Sequence, residues 1–211
     1  MDNILKTIDK SNLNGFGWLK PPVSFETRDG ALFITPERKS DFFFSPIDPV
    51  DRFNAAALLR KVKGNFVAVA CVEPDLSSRA NAAGLLGYFD KDHWAKLCFE
   101  RTGPDSLGPC AMVNTIYRSD DANGETLKNN PKSLWLKYCR CGFAFSMFYS
   151  QDGINYTFLR KYALPGFPDE MSVGVFAQCP DCGPKQHKIT FLSIESVESV
   201  NIRTGVIEKK G

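Results

Sequence analysis

The feature that most constrains this chain is a succession of short β-type runs separated by turn residues, with no sustained helical period. Asp152-Gly153 between two aromatic segments marks a tight hairpin, because glycine accepts a positive φ. Many short strands at this spacing are typical of an all-β sandwich or barrel. We predict strands at residues 31–35, 65–72, 82–89, 93–100, 111–118, 134–140, 143–150, 157–162, 172–178 and 188–197.

Two segments are less clear from the pattern. Residues 48–59 could form a helix, because Asp48 can cap its amino end and Pro49 suits the first turn, but propensity alone favours a strand about equally. Residues 120–132 are polar and rich in turn formers, which predicts a long surface loop.

Composition indicates a single globular domain and excludes several partners. The chain has 211 residues, of which 43% are hydrophobic and 12% aromatic, and this is enough to fill one sizeable core. Its 26 basic and 24 acidic residues form no long runs of one sign, so we expect no nucleic-acid partner. It has no run of about 18 apolar residues and no apolar leader, so we expect no membrane association and a cytoplasmic location.

The seven cysteines are an odd set in such a chain, which favours reduced thiols over a disulfide framework. Cys179 and Cys182 have the C-x-x-C spacing of a zinc knuckle, and Cys139 and Cys141 could supply two more thiolates. A redox-labile disulfide between Cys179 and Cys182 is another alternative. Because a C-x-C pair at a strand end is a poor second half of a zinc site, we expect free thiols, no metal and no cofactor.

Several short motifs follow one another across residues 16–200 in an order and spacing that are fairly specific. They are Trp18, Pro21-Pro22, Gly30-Ala31-Leu32, Asp41-Phe42, Gly64-Asn65-Phe66, Ala83-Gly84-Leu85-Leu86, Asp90, His93-Trp94-Ala95-Lys96, Glu100, Ser150-Gln151-Asp152-Gly153, Val173-Gly174-Val175 and Ile189-Thr190-Phe191. Together they resemble the "regulation of enolase protein 1" family, a domain of unknown function with a concanavalin A-like lectin/glucanase fold. The resemblance implies an all-β jelly-roll β-sandwich of two antiparallel sheets, and a strand at residues 55–62.

The resemblance also suggests how the chain is divided. We expect an N-terminal extension at residues 1–15, the sandwich at residues 16–200 and a C-terminal tail at residues 201–211. The chain departs from the family pattern at Phe43 and Tyr156, where relatives commonly have Trp.

Side-chain alternation on residues 93–100 defines a candidate binding face, because successive strand residues point to opposite sides of a sheet. In the resembled fold the concave sheet commonly carries a carbohydrate site, which implies that the polar set lies there. A sugar needs a ring to stack on and polar groups to bind its hydroxyls. The set expected in the core is Ala95, Leu97 and Phe99, and the set expected on the binding face is Trp94, Lys96, Cys98 and Glu100.

We therefore predict that Trp94 stacks on a ligand while Lys96 and Glu100 hydrogen-bond to it. A simpler interpretation of the same face is a solvated Lys96–Glu100 ion pair over a half-buried Trp94. In either case Lys96→Ala should cost under about 1 kcal/mol. Neighbouring strands could add further ligand-binding residues, namely Tyr88, Asp90, Asn114 and Arg140.

These features predict a non-catalytic domain that binds a carbohydrate, a small polyol or a sugar phosphate. One alternative, drawn from the resemblance, is a protein-interaction module that regulates a metabolic enzyme such as enolase. The other is a glycoside hydrolase, which needs two carboxylates at a fixed separation. Glu100 has no acidic partner at the right spacing on its own strand, so Asp41 or Asp90 would have to supply it. His93 is expected to face the core in a structural role.

Overall fold

The computed structural model describes residues 1–208, which form two seven-stranded antiparallel sheets. The predicted all-β architecture of two antiparallel sheets is confirmed. One 3-10 turn, Ile4–Thr7, is the only helical segment in this range. The strands are β1 (Gly17–Lys20), β2 (Ser24–Arg28), β3 (Ala31–Thr35), β4 (Phe42–Phe44), β5 (Asp51–Phe53), β6 (Ala56–Lys63), β7 (Phe66–Glu73), β8 (Ala82–Tyr88), β9 (Trp94–Gly103), β10 (Ser106–Thr115), β11 (Arg118–Asn123), β12 (Leu134–Cys141), β13 (Ala144–Ser150), β14 (Thr157–Ala163), β15 (Glu170–Gln178), β16 (His187–Ser196), β17 (Ser199–Val200) and β18 (Ile207–Glu208).

The first sheet has the strand order β1-β6-β15-β8-β9-β10-β11, and the second has the order β14-β13-β12-β7-β16-β3-β2. Two short ribbons, β4-β5 and β17-β18, stand apart from these sheets. Strands close in sequence are often neighbours, but β15 inserts between β6 and β8, so the first sheet joins distant parts of the chain. No helix within residues 1–208 is long and apolar enough to cross a membrane.

The alternation predicted for residues 93–100 is confirmed. Ala95, Leu97 and Phe99 lie in the main core, which is the large apolar cluster between the two sheets. Trp94 and Cys98 belong to a second apolar cluster, here called the outer cluster, on the opposite face of the first sheet. The first sheet therefore buries both of its faces over much of its area, because the β4-β5 ribbon packs on its outer side.

The strand that the resemblance implied at residues 55–62 is present as β6, Ala56–Lys63, and the alternative helix is not formed. In β6, Ala56 and Leu58 lie in the main core, whereas Ala57 and Leu59 lie in the outer cluster. A strand that is buried on both faces loses the polar alternation that would have identified it from sequence.

The predicted loop at residues 120–132 is wrong at its beginning. The backbone of β11 pairs with β10 from Thr115↔Arg118 to Cys110↔Asn123, and β11 forms the edge of the first sheet. An edge strand can carry polar side chains because one of its sides meets solvent, and this explains why composition suggested a loop.

The N-terminal segment packs against the sandwich. Leu5 and Ile8, within the segment expected to be an extension, are buried in the main core. The side-chain amide of Asn3 donates to the carbonyl oxygens of Gly30 and Thr190, at 3.1 and 3.0 Å. The expected tail is described as far as β18, and residues 209–211 lie outside the described part of the chain.

We predict that Phe99→Ala lowers the free energy of unfolding by roughly 3 to 5 kcal/mol, because it removes a fully buried ring from the main core. Urea denaturation followed by far-ultraviolet circular dichroism measures this. Phe158→Ala, which truncates a half-exposed ring on edge strand β14, serves as the control and should cost about 1 kcal/mol or less. Equal losses in the two variants would contradict the assigned faces.

Candidate functional site

A pocket of about 300 Å³ opens on the outer face of the first sheet. Its floor is formed by β9, β10, β11 and the end of β15, and the β4-β5 ribbon forms one wall. The volume is at the lower end of the range for small-ligand sites. Polar side chains from separate strands meet on the floor, namely Lys96, Glu100, Asp121, Asn123 and Gln178.

Strand register brings these floor residues together. Lys96 pairs with Met112, and Met112 pairs with Asp121, so these three residues form one row across β9, β10 and β11. Cys98, Cys110 and Asn123 form the next row. Directly paired residues of antiparallel strands project to the same face, so both rows line the pocket side of the sheet.

Gly84 lies on β8, beside the floor strand β9, and allows β9 to approach closely. A Cβ atom at this position would lie 2.0 Å from the carbonyl oxygen of Leu97 and 2.7 Å from the Cα atom of Cys98. Because both atoms belong to the backbone, no side chain can be accommodated here without moving β9.

Lys96 is the most buried charged group of the pocket, with only 2% of its surface exposed. Its Nζ donates to Asp41 Oδ1 and to Gln178 Oε1, each at 3.1 Å. Burial alone would lower the pKa of Lys96, but the combined effect of the neighbouring acidic groups, to which Asp41 contributes most, outweighs burial and holds the pKa above its ordinary value. The predicted solvated ion pair with Glu100 is therefore wrong, since Asp41 is the partner and the pair is buried.

Trp94 cannot stack on a ligand in this structure, because it is 1% exposed. Its indole Nε1 donates to the carbonyl oxygen of Lys91 at 3.1 Å. The rings of Phe42, Phe44 and Phe53 lie 5.7 to 6.3 Å from it, between centroids. Side-chain alternation correctly placed Trp94 on the outer face, but the aromatic ribbon β4-β5 covers that part of the face.

Phe43 is the aromatic side chain that lines the pocket. On β4 the flanking residues Phe42 and Phe44 are buried, whereas Phe43 is only partly buried. Phe43 was not among the ligand-binding residues predicted from sequence, where it was noted only as a departure from the pattern of the resembled family.

Two of the predicted ligand-binding residues lie on the first sheet or its turns but do not line the pocket. Tyr88 packs at the edge of the outer cluster, where its ring centroid is 6.0 Å from that of Phe53. Asp90 lies in the exposed turn before β9 and contacts His93 Nδ1 at 2.8 Å. His93 lies in that turn rather than on the strand, packed against Phe167 and hydrogen-bonded as a structural residue would be.

The other two predicted ligand-binding residues, Asn114 and Arg140, make hydrogen bonds within the protein. The side-chain amide of Asn114 donates to the carbonyl oxygen of Asp92, and its Oδ1 accepts from Ser119. Arg140 lies on the second sheet, where its guanidinium donates to the carbonyl oxygens of Gly142, Pro168 and Asp169. The prediction that Arg140 contributes to the pocket is wrong, because strand alternation does not reveal to which sheet a strand belongs.

Glu100 lies on the pocket floor and has no ion-pair partner among residues 1–208. The Sγ of Cys98 is 3.6 Å from its Oε2. Burial raises the pKa of Glu100 to about 7, and the charge of Lys96 offsets only part of this effect. A carboxyl group in this state can accept or donate a hydrogen bond near neutral pH.

The cysteines considered as a zinc knuckle do not come together as one set. Cys139 lies in a separate apolar cluster on the outer side of the second sheet, away from Cys179. The Sγ of Cys179 instead lies 3.2 Å from His187 Nε2, and the Sγ of Cys182 lies 3.2 Å from Asn81 Oδ1.

His187 is fully buried and neutral. The backbone N–H of Asp75 donates to its Nδ1 at 3.3 Å, which leaves the proton on Nε2 facing Cys179. Burial lowers the pKa of His187 to about 4, and Asp75 offsets part of this effect.

We predict that His187 makes stability depend on pH between about 6.5 and 4. In this window the unfolded chain binds a proton that the folded protein does not, so the free energy of unfolding falls as pH falls, by on the order of 3 kcal/mol in total. Chemical denaturation of the wild type and His187→Gln at several pH values measures this. In His187→Gln, the fall of the free energy of unfolding between pH 6.5 and 4 should be smaller than in the wild type. His93→Gln is the control and should keep the wild-type pH dependence. An unchanged pH dependence in His187→Gln would contradict the assignment.

We also predict that Lys96→Met lowers the free energy of unfolding by roughly 3 to 5 kcal/mol, because it leaves Asp41 buried without its partner. Adding Asp41→Asn should restore part of the loss. The control is Lys188→Met, which breaks a partly exposed pair with Glu73 and should cost about 1 kcal/mol or less. A small effect of Lys96→Met would support the solvated face expected from sequence.

Solved structures share this fold. A functionally unknown protein from Saccharomyces cerevisiae has a TM-score of 0.80 at 20% identity, over 88% of this chain and 98% of the yeast chain. The GH43 BlXynB protein from Bacillus licheniformis has a TM-score of 0.68 at 14% identity; the match covers 91% of this chain but only 38% of that chain. The CBM2 module of the evolved Dit of Lactobacillus casei BL23 phage J-1 has a TM-score of 0.56 at 8% identity, over 86% and 89% of the two chains. At these identities the likeness shows the fold alone.

No curated protein matches the sequence. The model of a family described as "Protein of unknown function (DUF1349)" matches residues 18–197, nearly the whole sandwich. The chain therefore belongs to the DUF1349 family.

Proposed function

We propose that the domain binds a small, hydroxyl-rich ligand in the pocket on the outer face of the first sheet, without catalysing a reaction on it. The ligand class is a carbohydrate, a small polyol or a sugar phosphate. The observation that carries this proposal is the lining of one pocket, which brings Phe43 together with Lys96, Glu100 and Gln178.

The lining matches the chemistry of a sugar. Phe43 offers an apolar ring for the C–H face of the ligand, which is the role that the sequence had suggested for Trp94. Glu100 and Asn123 offer groups for hydroxyls. Lys96 has three N–H donors, and Asp41 and Gln178 accept from two of them, so one remains for a ligand oxygen.

The other charged side chains that line the pocket bear on which ligand fits. Arg52 and Arg79 line the pocket together with Asp48, Asp121 and Asp181. Because both signs are present, the pocket suits a neutral polyol or a sugar with one phosphate rather than a polyanion. The two arginines are the groups that a phosphate would contact.

The likeness to a GH43 protein supports the ligand class as an analogy of fold, since a related solved structure is described as a GH43 glycoside hydrolase. We further propose that the domain works in the cytoplasm. The seven cysteines are free thiols in the structure, and a reducing compartment keeps thiols in this state.

We predict that Phe43→Ala weakens binding of the best ligand by about tenfold or more while the melting temperature changes little, because Phe43 is only partly buried. A panel of monosaccharides, disaccharides, polyols and sugar phosphates is screened by ligand-observed nuclear magnetic resonance, and affinities are measured by calorimetry. Phe33→Ala truncates a partly buried ring on β3 of the second sheet and should leave binding unchanged. The proposal fails if no compound binds at millimolar concentration, or if both variants bind equally well.

A glycoside hydrolase is the second candidate, because Glu100 and Asp121 line the same pocket. Of the partners considered from sequence, Asp90 lies outside the pocket and Asp41 is held by Lys96. Aryl glycosides provide the test. Turnover that is lost in Glu100→Gln, with binding retained, would favour the hydrolase over the binding domain.

A protein-interaction module that regulates a metabolic enzyme such as enolase is the third candidate. Two turn tips near the pocket expose the apolar side chains of Ile47, Ile116 and Tyr117. Arg118 joins these turns by donating from Nε to the carbonyl oxygen of Ser45 at 2.7 Å. A partner that binds here should be lost in Tyr117→Ala but retained in Phe43→Ala, and biolayer interferometry with purified enolase distinguishes this candidate.

A further inference from the structure

Three side chains capable of binding a metal converge on the pocket floor. The Sγ atoms of Cys98 and Cys110 and a carboxylate oxygen of Glu100 all lie within 4.8 Å of one another. Cys98 and Cys110 are direct register partners on β9 and β10. Glu100 is two residues from Cys98 on the same strand, so it projects to the same face.

The spacing agrees with that of zinc ligands. In a tetrahedral site with Zn–S of about 2.3 Å and Zn–O of about 2.1 Å, a sulfur ligand and an oxygen ligand are about 3.6 Å apart. The Sγ of Cys98 lies 3.6 Å from Glu100 Oε2. A metal could therefore be bound by these two residues without rearrangement of the strands.

The charges around the cluster also suit a cation. Glu100 is half-buried and has no ion-pair partner among the described residues, and Lys96, whose charge also acts on it, is already paired with Asp41. Carboxylates withdrawn from water are normally paired or bound to metals. Binding of a divalent ion would release the two thiol protons to solvent. The resulting site, with two thiolates, one carboxylate and one dication, would carry one net negative charge, and the charge of Lys96 acts on Cys98 and Glu100 in the sense that stabilises it.

We propose that Cys98, Glu100 and Cys110 bind one Zn²⁺ ion whose fourth coordination position opens into the pocket. Thiolate ligands favour zinc over magnesium and calcium, which prefer sites made entirely of oxygen. Three protein ligands with a free position are typical of zinc sites that bind water or an exogenous ligand, whereas structural zinc sites use four protein ligands. Glu100 and Cys110 line the pocket, so the fourth ligand is water or an oxygen of the bound molecule.

Zinc binding at this cluster does not depend on the identity of the pocket ligand. Cobalt(II) is the probe, because thiolate coordination gives it a near-ultraviolet charge-transfer band. Protein stripped with a chelator and kept reduced with a phosphine is titrated with Co²⁺, and Zn²⁺ is then added as a competitor. We expect one cobalt per chain, a charge-transfer band, and displacement by one equivalent of Zn²⁺.

Variants locate the site. Cys98→Ser and Cys110→Ser should abolish the band, and Glu100→Gln should weaken cobalt binding by more than about tenfold. Cys71→Ser, which replaces a buried cysteine of the second sheet, is the matched control and should leave the titration unchanged. Far-ultraviolet circular dichroism verifies that each variant folds. If Cys98→Ser does not fold, Cys110→Ser decides the question, because Cys110 lines the pocket whereas Cys98 is fully buried.

Three results would overturn the proposal. The first is the absence of a charge-transfer band in the reduced wild type at millimolar cobalt. The second is a band that survives Cys110→Ser. The third is a band that is lost in Cys182→Ser, which would place the metal beside Cys179 and His187 instead.

Discussion

The buried ion pair between Lys96 and Asp41 is the interaction on which the pocket depends. Lys96 belongs to the centre of the first sheet, whereas Asp41 precedes the β4-β5 ribbon, and Gln178 ends β15. The ion pair and the hydrogen bond from Lys96 to Gln178 therefore join three distant parts of the chain at one point. Removing one partner would leave the other as an unpaired buried charge. The ion pair therefore stabilises the position of the ribbon over the sheet, in addition to the apolar contacts.

The ribbon in turn determines the character of the outer face. Where Phe42 and Phe44 cover the sheet, Trp94 is enclosed and the face is a second apolar core. Beyond the ribbon the same face is open and polar, and Glu100 lies there without an ion-pair partner among residues 1–208. The pocket is thus the uncovered part of a face that is otherwise closed, which accounts for both its polar floor and its aromatic wall.

Much of this arrangement followed from the sequence, and the exceptions have a common cause. Period-two alternation on residues 93–100 correctly separated the main-core side from the outer side, because it depends only on local backbone geometry. It could not reveal that a ribbon some 50 residues earlier covers Trp94, nor that the cation next to Asp41 is Lys96. Arg140 was misplaced for the same reason, since sheet membership depends on strand order, and β11 was taken for a loop because its edge position permits polar residues.

We propose that this domain binds its ligand on the open part of the outer face. The decisive measurement is a crystal structure of the protein soaked with the tightest-binding saccharide. We expect electron density for the saccharide between the ring of Phe43 and the carboxyl group of Glu100. Density in the aromatic groove of Trp135, Tyr156 and Phe191 on the second sheet, with the outer-face pocket left empty, would contradict it.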